Sequence, residues 1–218
     1  MAEIRDNALL LRRIPYGDTS LIVHVLAGEH GRMPLMARGA RRARSPFRAA
    51  LVPLCELMIA WRPGRTGMGT LVDVERGEAL LEEARGFEGL QMNALAAGLF
   101  REGETHGYAE LKYALCLLNE RQGDSGLLAG AWNLLQQEGW LGPLDHCWHC
   151  ARSANQLTWS NAELRCTACG SGPALSPGLR KGILGHMQNS KVYLPSHDLA
   201  MWRQMIQDML RYHGLKPL

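Results

Sequence analysis

Two cysteine knuckles constrain this 218-residue chain more than any other feature: Cys147-Trp-His-Cys150 and Cys166-Thr-Ala-Cys169, separated by 15 residues. This is the C-x2-C-x15-C-x2-C spacing of a four-thiolate metal site, because two residues between paired cysteines let one tight turn present both sulfurs to the same ion. The segment around Gln156 to Trp159 can return as a small hairpin, and Gly170 and Gly172 relieve the backbone after the second knuckle. Three other readings compete: two disulfides, a redox-active C-x-x-C, and chance. Disulfides conflict with a cytoplasmic chain, and a redox motif needs only one pair, beside a βαβ unit that the pattern lacks. Four thiolates close the coordination sphere and leave no position for an activated water, so the expected ion is one structural Zn2+ held by Cys147, Cys150, Cys166 and Cys169. His146 and His149 are either a replacement ligand or neighbours of the site. A deaminase-type centre lacks its parts, since no H-x-E precedes the cysteines and no Pro stands directly before Cys147. The remaining cysteines, Cys55 and Cys116, lie in apolar stretches and are expected to be buried core thiols.

Upstream of the knuckles the pattern is that of strands. Apolar runs at Leu21 to Leu26, Met33 to Ala37 and Leu57 to Trp61 are broken by turn residues at Gly17-Asp18, Gly28 to Gly31 and Pro63 to Gly69, and Leu71 to Glu75 alternates with period two. Four or five short strands in so few residues suggest a small closed barrel of the oligonucleotide-binding type, with another small barrel as the alternative. From about residue 85 the period becomes helical. Tyr108, Leu111, Leu115 and Leu118 recur on one face, as do Leu127, Leu128, Ala131, Leu134 and Leu135, with Asp124 or Ser125 as the cap and Gly139 as the C-terminal glycine. Further helices are expected near Ser176 to Gln188, with Pro177 in the first turn, and over Ser196 to His213. The expected fold is α+β and multidomain: an oligonucleotide-binding (OB-fold) barrel over 1–80, a helical domain over 81–144 and 173–218, and a zinc module inserted at 145–172.

Charge is uneven along the chain. Residues 1–80 carry 12 Arg against 8 acidic residues, 81–144 carry 4 basic against 9 acidic, and 145–218 carry 8 basic against 4 acidic. Basic ends around an acidic middle point to a polyanionic partner. No run of about 18 apolar residues and no cationic leader occurs, so the chain reads as soluble and cytoplasmic without a membrane partner. The densest charge block is Arg38-Gly-Ala-Arg41-Arg42-Ala-Arg44-Ser-Pro-Phe-Arg48, five Arg in eleven residues with no acid. It follows the strand Met33 to Ala37, in a connection where small barrels place nucleic acid, and guanidinium forks both grip phosphates and stack on bases. Arg38, Arg41, Arg42, Arg44 and Arg48 are therefore the candidate DNA contacts. Arg12, Arg13, Arg32, Arg62 and Arg65 are possible extensions of that surface.

No phosphate-binding loop, H-E-x-x-H or G-x-S-x-G motif is present, and the consecutive Ser196, His197 and Asp198 cannot converge as a triad. No enzyme is expected. The competing function is a zinc-braced adaptor that binds protein only.

Several segments, in order, resemble the RecO family of bacterial recombination mediators. They are Leu9 to Ser20, His30-Gly-Arg32 with Arg38 to Arg42, Glu138 to Asp145 leading into Cys147, Ala174 to Gly178, and Tyr212 to Leu218. The resemblance covers nearly the whole chain. It implies an OB-fold barrel, a helical middle and a zinc module in a cytoplasmic, nucleoid-associated protein of DNA repair. It also implies binding to single- and double-stranded DNA, annealing of complementary strands and partnership with RecR. With RecF, such a protein helps load RecA onto DNA coated by single-stranded-DNA-binding protein (SSB), contacting the acidic, Phe-ended tail of SSB. Cationic candidates for that tail are Arg180, Lys181 and Arg203. Many family members continue past the position of Leu218 with a few basic residues, and the resemblance assigns no DNA-contacting residue to that end of this chain.

Overall fold

The computed structural model describes residues 2–65, 67–121, 123–188, 190 and 192–218. They form two compact units, Met1–Asn119 and Glu120–Leu218.

The first unit is built on a closed barrel of five strands, β1 (Ile4–Tyr16), β2 (Ser20–Ala27), β3 (Gly31–Ala37), β4 (Cys55–Arg62) and β5 (Gly69–Ala79), ordered β1-β2-β3-β5-β4 and returning to β1. A short helix α1 (Pro46–Ala50) lies between β3 and β4. All pairings are antiparallel except β3 with β5, which meet in parallel at Leu35–Gly69 and Met36–Thr70. This is the oligonucleotide-binding arrangement.

Closure depends on β1. Its first half pairs with β4 from Ile4 to Leu9, its second half pairs with β2 from Ala8 to Tyr16, and the register shifts between Leu10 and Arg12. The extra residue at this bulge bends the strand so that one segment serves two neighbours. The barrel fills with Leu10, Val23, Val25, Leu35, Leu57, Ile59, Leu71 and Val74. A bulge also releases a ladder group, and the buried amide of Asn93 supplies the partner by donating from Nδ2 to the Leu10 carbonyl at 2.9 Å.

Asn93 belongs to α2 (Gly86–Leu99), which is followed by α3 (Tyr108–Glu120). Arg32 of β3 donates to the carbonyls of Ala97 at 2.7 Å and Phe100 at 2.6 Å, a cation placed on the C-terminal end of α2. Gly31 before it is required: its φ is +62°, and a Cβ there would stand 1.7 Å from the Glu104 carbonyl oxygen. Glu56, the lone charge in the apolar run of β4, accepts from the Tyr108 hydroxyl at 2.7 Å and pairs with Lys112. Lys112 first and Tyr108 second hold its carboxyl below the ordinary range. These bonds join α2 and α3 to the barrel, and the boundary between the compact units accordingly falls after Asn119, inside the stretch read from sequence as helical domain. Cys55 is buried, but Cys116 is exposed. An apolar run on a helix rotates by about 100° per residue, so the middle of the run can leave the face that buries its ends.

In the second unit α4 (Asp124–Gln137) is buried at every position from Gly126 to Leu135. Gly123 occupies its N-cap position, with Asp124 in the first turn, and Gly139 closes it at φ +73°. Around it pack α5 (Pro177–Met187) and α6 (Ser196–Tyr212), with fully buried Trp202 edge-on to Trp132. The Ser176 hydroxyl caps α5 by accepting from Leu179 N at 2.8 Å and donates to Asp198 in the first turn of α6 at 3.1 Å. No helix among the described residues is long and apolar enough to cross a membrane.

Replacing Asn93 with Ala leaves the Leu10 carbonyl buried without its partner. The first unit should lose about 1–3 kcal/mol of stability in urea melts, whereas replacing exposed Glu78 with Ala should cost under about 0.5 kcal/mol.

Candidate metal centre and nucleic-acid surface

The four cysteines converge. Strands β6 (Leu157–Ser160) and β7 (Glu163–Cys166) form a hairpin whose two-residue turn, Asn161 and Ala162, takes left-handed backbone angles of 51° and 57°. That is the mirror-image turn whose twist suits paired strands. The first knuckle is closed by Ala151 N donating to the Cys147 carbonyl at 2.8 Å and is tied to β7 by Trp148 N donating to the Leu164 carbonyl at 2.7 Å. In the second knuckle Cys169 N and Gly170 N both donate to the Cys166 carbonyl, at 3.0 and 3.1 Å.

The four sulfurs lie within 4.8 Å of one another, and Cys150 and Cys166 are 4.0 Å apart across the knuckles. Tetrahedral bonds of about 2.3 Å separate sulfurs by about 3.8 Å, so the cluster fits one metal ion. Burial, the largest influence, pushes the Cys147 thiol up, yet backbone hydrogen bonds at Cys166, Cys150 and His149 together bring it down to about 6. Hydrogen bonds with Cys150 and Cys166 push Cys169 up to about 12. His146 is turned to Asp145, with Nδ1 2.7 Å from Oδ1, and neither it nor His149 joins the cluster.

The metal module is fastened to both neighbouring helices. Trp159 Nε1 donates to Asp208 of α6 at 2.9 Å, and Gln204 and Arg211 hold the other oxygen of that carboxylate. Arg180 of α5 donates to the Asn155 carbonyl at 2.8 Å and to the Ala154 carbonyl at 3.4 Å. Gly172 passes so near β6 that a Cβ would stand 2.1 Å from the Trp159 carbonyl oxygen.

Of the three cations read as candidates for an acidic tail, Arg180 thus holds the metal module, Arg203 pairs with Asp124 at 2.9 Å, and Lys181 is exposed. A well of about 650 Å³, invisible in the sequence because separate helices and a loop build it, lies beside Asp124. Its walls include Arg121, His186, Val192, Tyr193, Leu194 and Leu199.

On the barrel, Arg38, Arg41, Arg42 and Arg44 occupy the turn after β3, Arg48 lies on α1, and all five are exposed. Buried Ala40 and Leu51, with half-buried Phe47, anchor this segment on the barrel and leave the guanidinium groups outside. Arg41 also ties it to the β1–β2 turn. Its N donates to the Thr19 carbonyl at 2.8 Å and its Nη1 to the Gly17 carbonyl at 3.1 Å. Gly39 N donates to the Ser20 hydroxyl at 3.3 Å, so the two turns form one surface.

Two further groups enlarge it. Arg13 Nη1 donates to the Leu51 carbonyl at 3.0 Å beside a groove lined by Pro15, Leu21, Arg41, Phe47 and Arg48. Tyr16, at the end of β1, is 56% exposed, an aromatic face beside the arginines that the sequence pattern did not single out. Other arginines read as possible extensions have structural partners: Arg32 caps α2, Arg62 pairs with Glu3 at 3.5 Å, and Arg12 lies 3.3 Å from His24.

The model "Recombination protein O N terminal" matches residues 1–78. A DNA repair protein RecO of Proteus mirabilis is 30% identical over 159 residues, covering 70% of this chain and 63% of that protein. One from Actinobacillus pleuropneumoniae serotype 5b is 35% identical over 121 residues, covering 54% and 49%, and one from Laribacter hongkongensis is 44% identical over 70 residues, covering 32% and 28%. The matched stretches thus span between 28% and 63% of these relatives. A closed barrel of this topology, the matched N-terminal model and relatives of one name agree: the chain belongs to the RecO family.

Proposed function

We propose that this chain is a non-enzymatic mediator of DNA repair and recombination that binds single- and double-stranded DNA on its barrel and anneals complementary strands. The observation that carries this reading is the arginine turn, held outside an oligonucleotide-binding barrel by its own apolar residues and bonded to the β1–β2 turn, which follows exposed Tyr16. Exposed guanidinium groups neutralise phosphates without reading sequence, and an adjacent aromatic face stacks any base. Two strands repel through their phosphates, and a surface that holds both lowers that repulsion. Arg38, Arg42, Arg44 and Arg48 are the proposed phosphate contacts, with Arg41 positioning the turn as well as contributing charge.

The ion of the four-cysteine cluster is proposed to be Zn2+, because four thiolates in tetrahedral spacing suit that soft, redox-inert cation. Its role is structural. The proposed partners are RecR, the tail of SSB and, through them, RecF and RecA. The tail is acidic and ends in Phe, so it needs an apolar well beside cations. The well at Val192, Tyr193 and Leu199 offers the apolar part; Arg121 in its wall is bonded to Glu120 and the His186 carbonyl and Arg203 to Asp124, so exposed Lys181 of the same helical unit is the cation proposed for the tail.

Protein purified without added metal should contain one zinc per chain by elemental analysis. Cys166→Ser should lose it and destabilise chiefly the second unit, since structural zinc contributes on the order of 10 kcal/mol in small modules. Metal-free protein with unchanged melting would contradict the assignment.

Replacing Arg38, Arg42 and Arg44 together with Ala should weaken oligonucleotide binding and reduce the slope of log affinity against log salt by about 2, at roughly 0.7 per lost contact to single strands. An unchanged slope would favour a protein adaptor that does not bind DNA through this surface.

A further inference from the structure

Helix α2 lacks a polar face. Its sequence, GFEGLQMNALAAGL, carries one charged residue, Glu88, which pairs with Arg85 at 3.5 Å. Its inward side is accounted for by Met92, Asn93, Leu95, Ala96 and Leu99, all buried in the first unit. The outward side is Phe87, Leu90, Ala94 and Gly98, all exposed, with Phe87 at 74% and Leu90 at 48%. At 100° per residue these four fall within an arc of about 80°, a continuous apolar stripe rather than scattered exposed side chains. Only half-buried Glu88 and Gln91 interrupt the apolar surface, and an apolar helix face is normally covered.

The stripe has two properties that select what covers it. Large residues stand at its N-terminal end and small ones at its C-terminal end. Exposed Glu83 precedes it and exposed Arg101 follows it. When the helix is laid antiparallel on a copy of itself about a two-fold axis, the register that sets Leu90 against Ala94 brings Phe87 beside Ala97 and Gly98 of the copy and puts Glu83, just before the helix, at the same end as Arg101, just after it in the copy, each contact occurring twice. Bulk meets space and charge meets opposite charge at both ends, as an isologous interface demands. The antiparallel setting also opposes the two helix dipoles.

We propose that α2 is a self-association surface through which two copies of this chain pair. The stripe is about 16 Å long, so the paired helices alone bury less than the roughly 1,200 Å² of a stable complex. Pairing is therefore transient, with a dissociation constant on the order of 10 µM, and is promoted when several copies share one strand. Resting on the DNA reading above, pairing would give two barrels, each holding a strand, a route to the juxtaposition that annealing needs.

Sedimentation velocity of the full chain from about 1 to 200 µM tests the pairing directly. A concentration-dependent dimer is expected. Phe87→Ser should weaken it at least about tenfold, and Glu83→Arg or Arg101→Glu alone should weaken it roughly three- to tenfold. The chain carrying both charge changes should regain the original affinity, which a different partner surface would not reproduce. All three positions changed are exposed, and melting curves confirm that each variant remains folded. A monomer throughout the range, or a dimer indifferent to these substitutions, would overturn the inference. Oligonucleotide binding by the same variants separates the two readings: DNA binding without a dimer refutes pairing alone, and a dimer without DNA binding refutes only the mediator reading.

Discussion

A barrel of five strands has no edge only if its first strand pairs on both sides, and everything in the first unit depends on how β1 does so. The register shift at Leu11 bends the strand away from β4 toward β2. The bend is supported from outside by Asn93 on the Leu10 carbonyl, and α2 is itself held at its far end by Arg32. Strand, bulge and helix are consequently one construction, which is why the compact unit runs on through α3. The same closure positions the turn after β3 against the β1–β2 turn, where Arg41 and Gly39 join them. The display of arginines is thus a product of barrel geometry, and their exposure follows from anchoring by Ala40, Phe47 and Leu51.

The second unit solves a different problem. Its hairpin of two four-residue strands is too short to be stable in isolation. The four sulfurs converge in the spacing that can hold one ion, which when bound would supply the missing cohesion, and the surrounding contacts reach outward from the cluster. Trp159 reaches Asp208 on α6, and Arg180 of α5 reaches the backbone at Ala154 and Asn155. An ion bound there would steady both helices as well, since those bonds end on the module that carries the four cysteines.

Most of the strand and helix content was legible in the sequence because it rests on period: two for β5, 3.6 for α3, α4 and α6, punctuated by Gly139 and Pro177; α1 is too short and α2 too evenly apolar to show one. The cysteine cluster was legible because its spacing alone dictates convergence. What escaped was information carried by long-range contact. Nothing local distinguishes Arg32, which caps a helix, from Arg38, which faces solvent, and nothing local marks Tyr16 as a neighbour of the arginine turn. Arg180 and Arg203 looked like surface cations but bond to a backbone segment and to Asp124. Cys116 was read as buried from an apolar run, although helical rotation carries it outward.

Strand annealing is the decisive measurement for the proposed function, because it requires the basic surface to hold two polyanions at once. Two complementary, fluorescently labelled oligonucleotides are mixed with the protein in low salt, with and without ATP. A mediator of this kind accelerates annealing independently of ATP, and the acceleration fades as salt rises, since screening removes both the repulsion and its relief. No acceleration in low salt, or acceleration only when ATP is present, would contradict it.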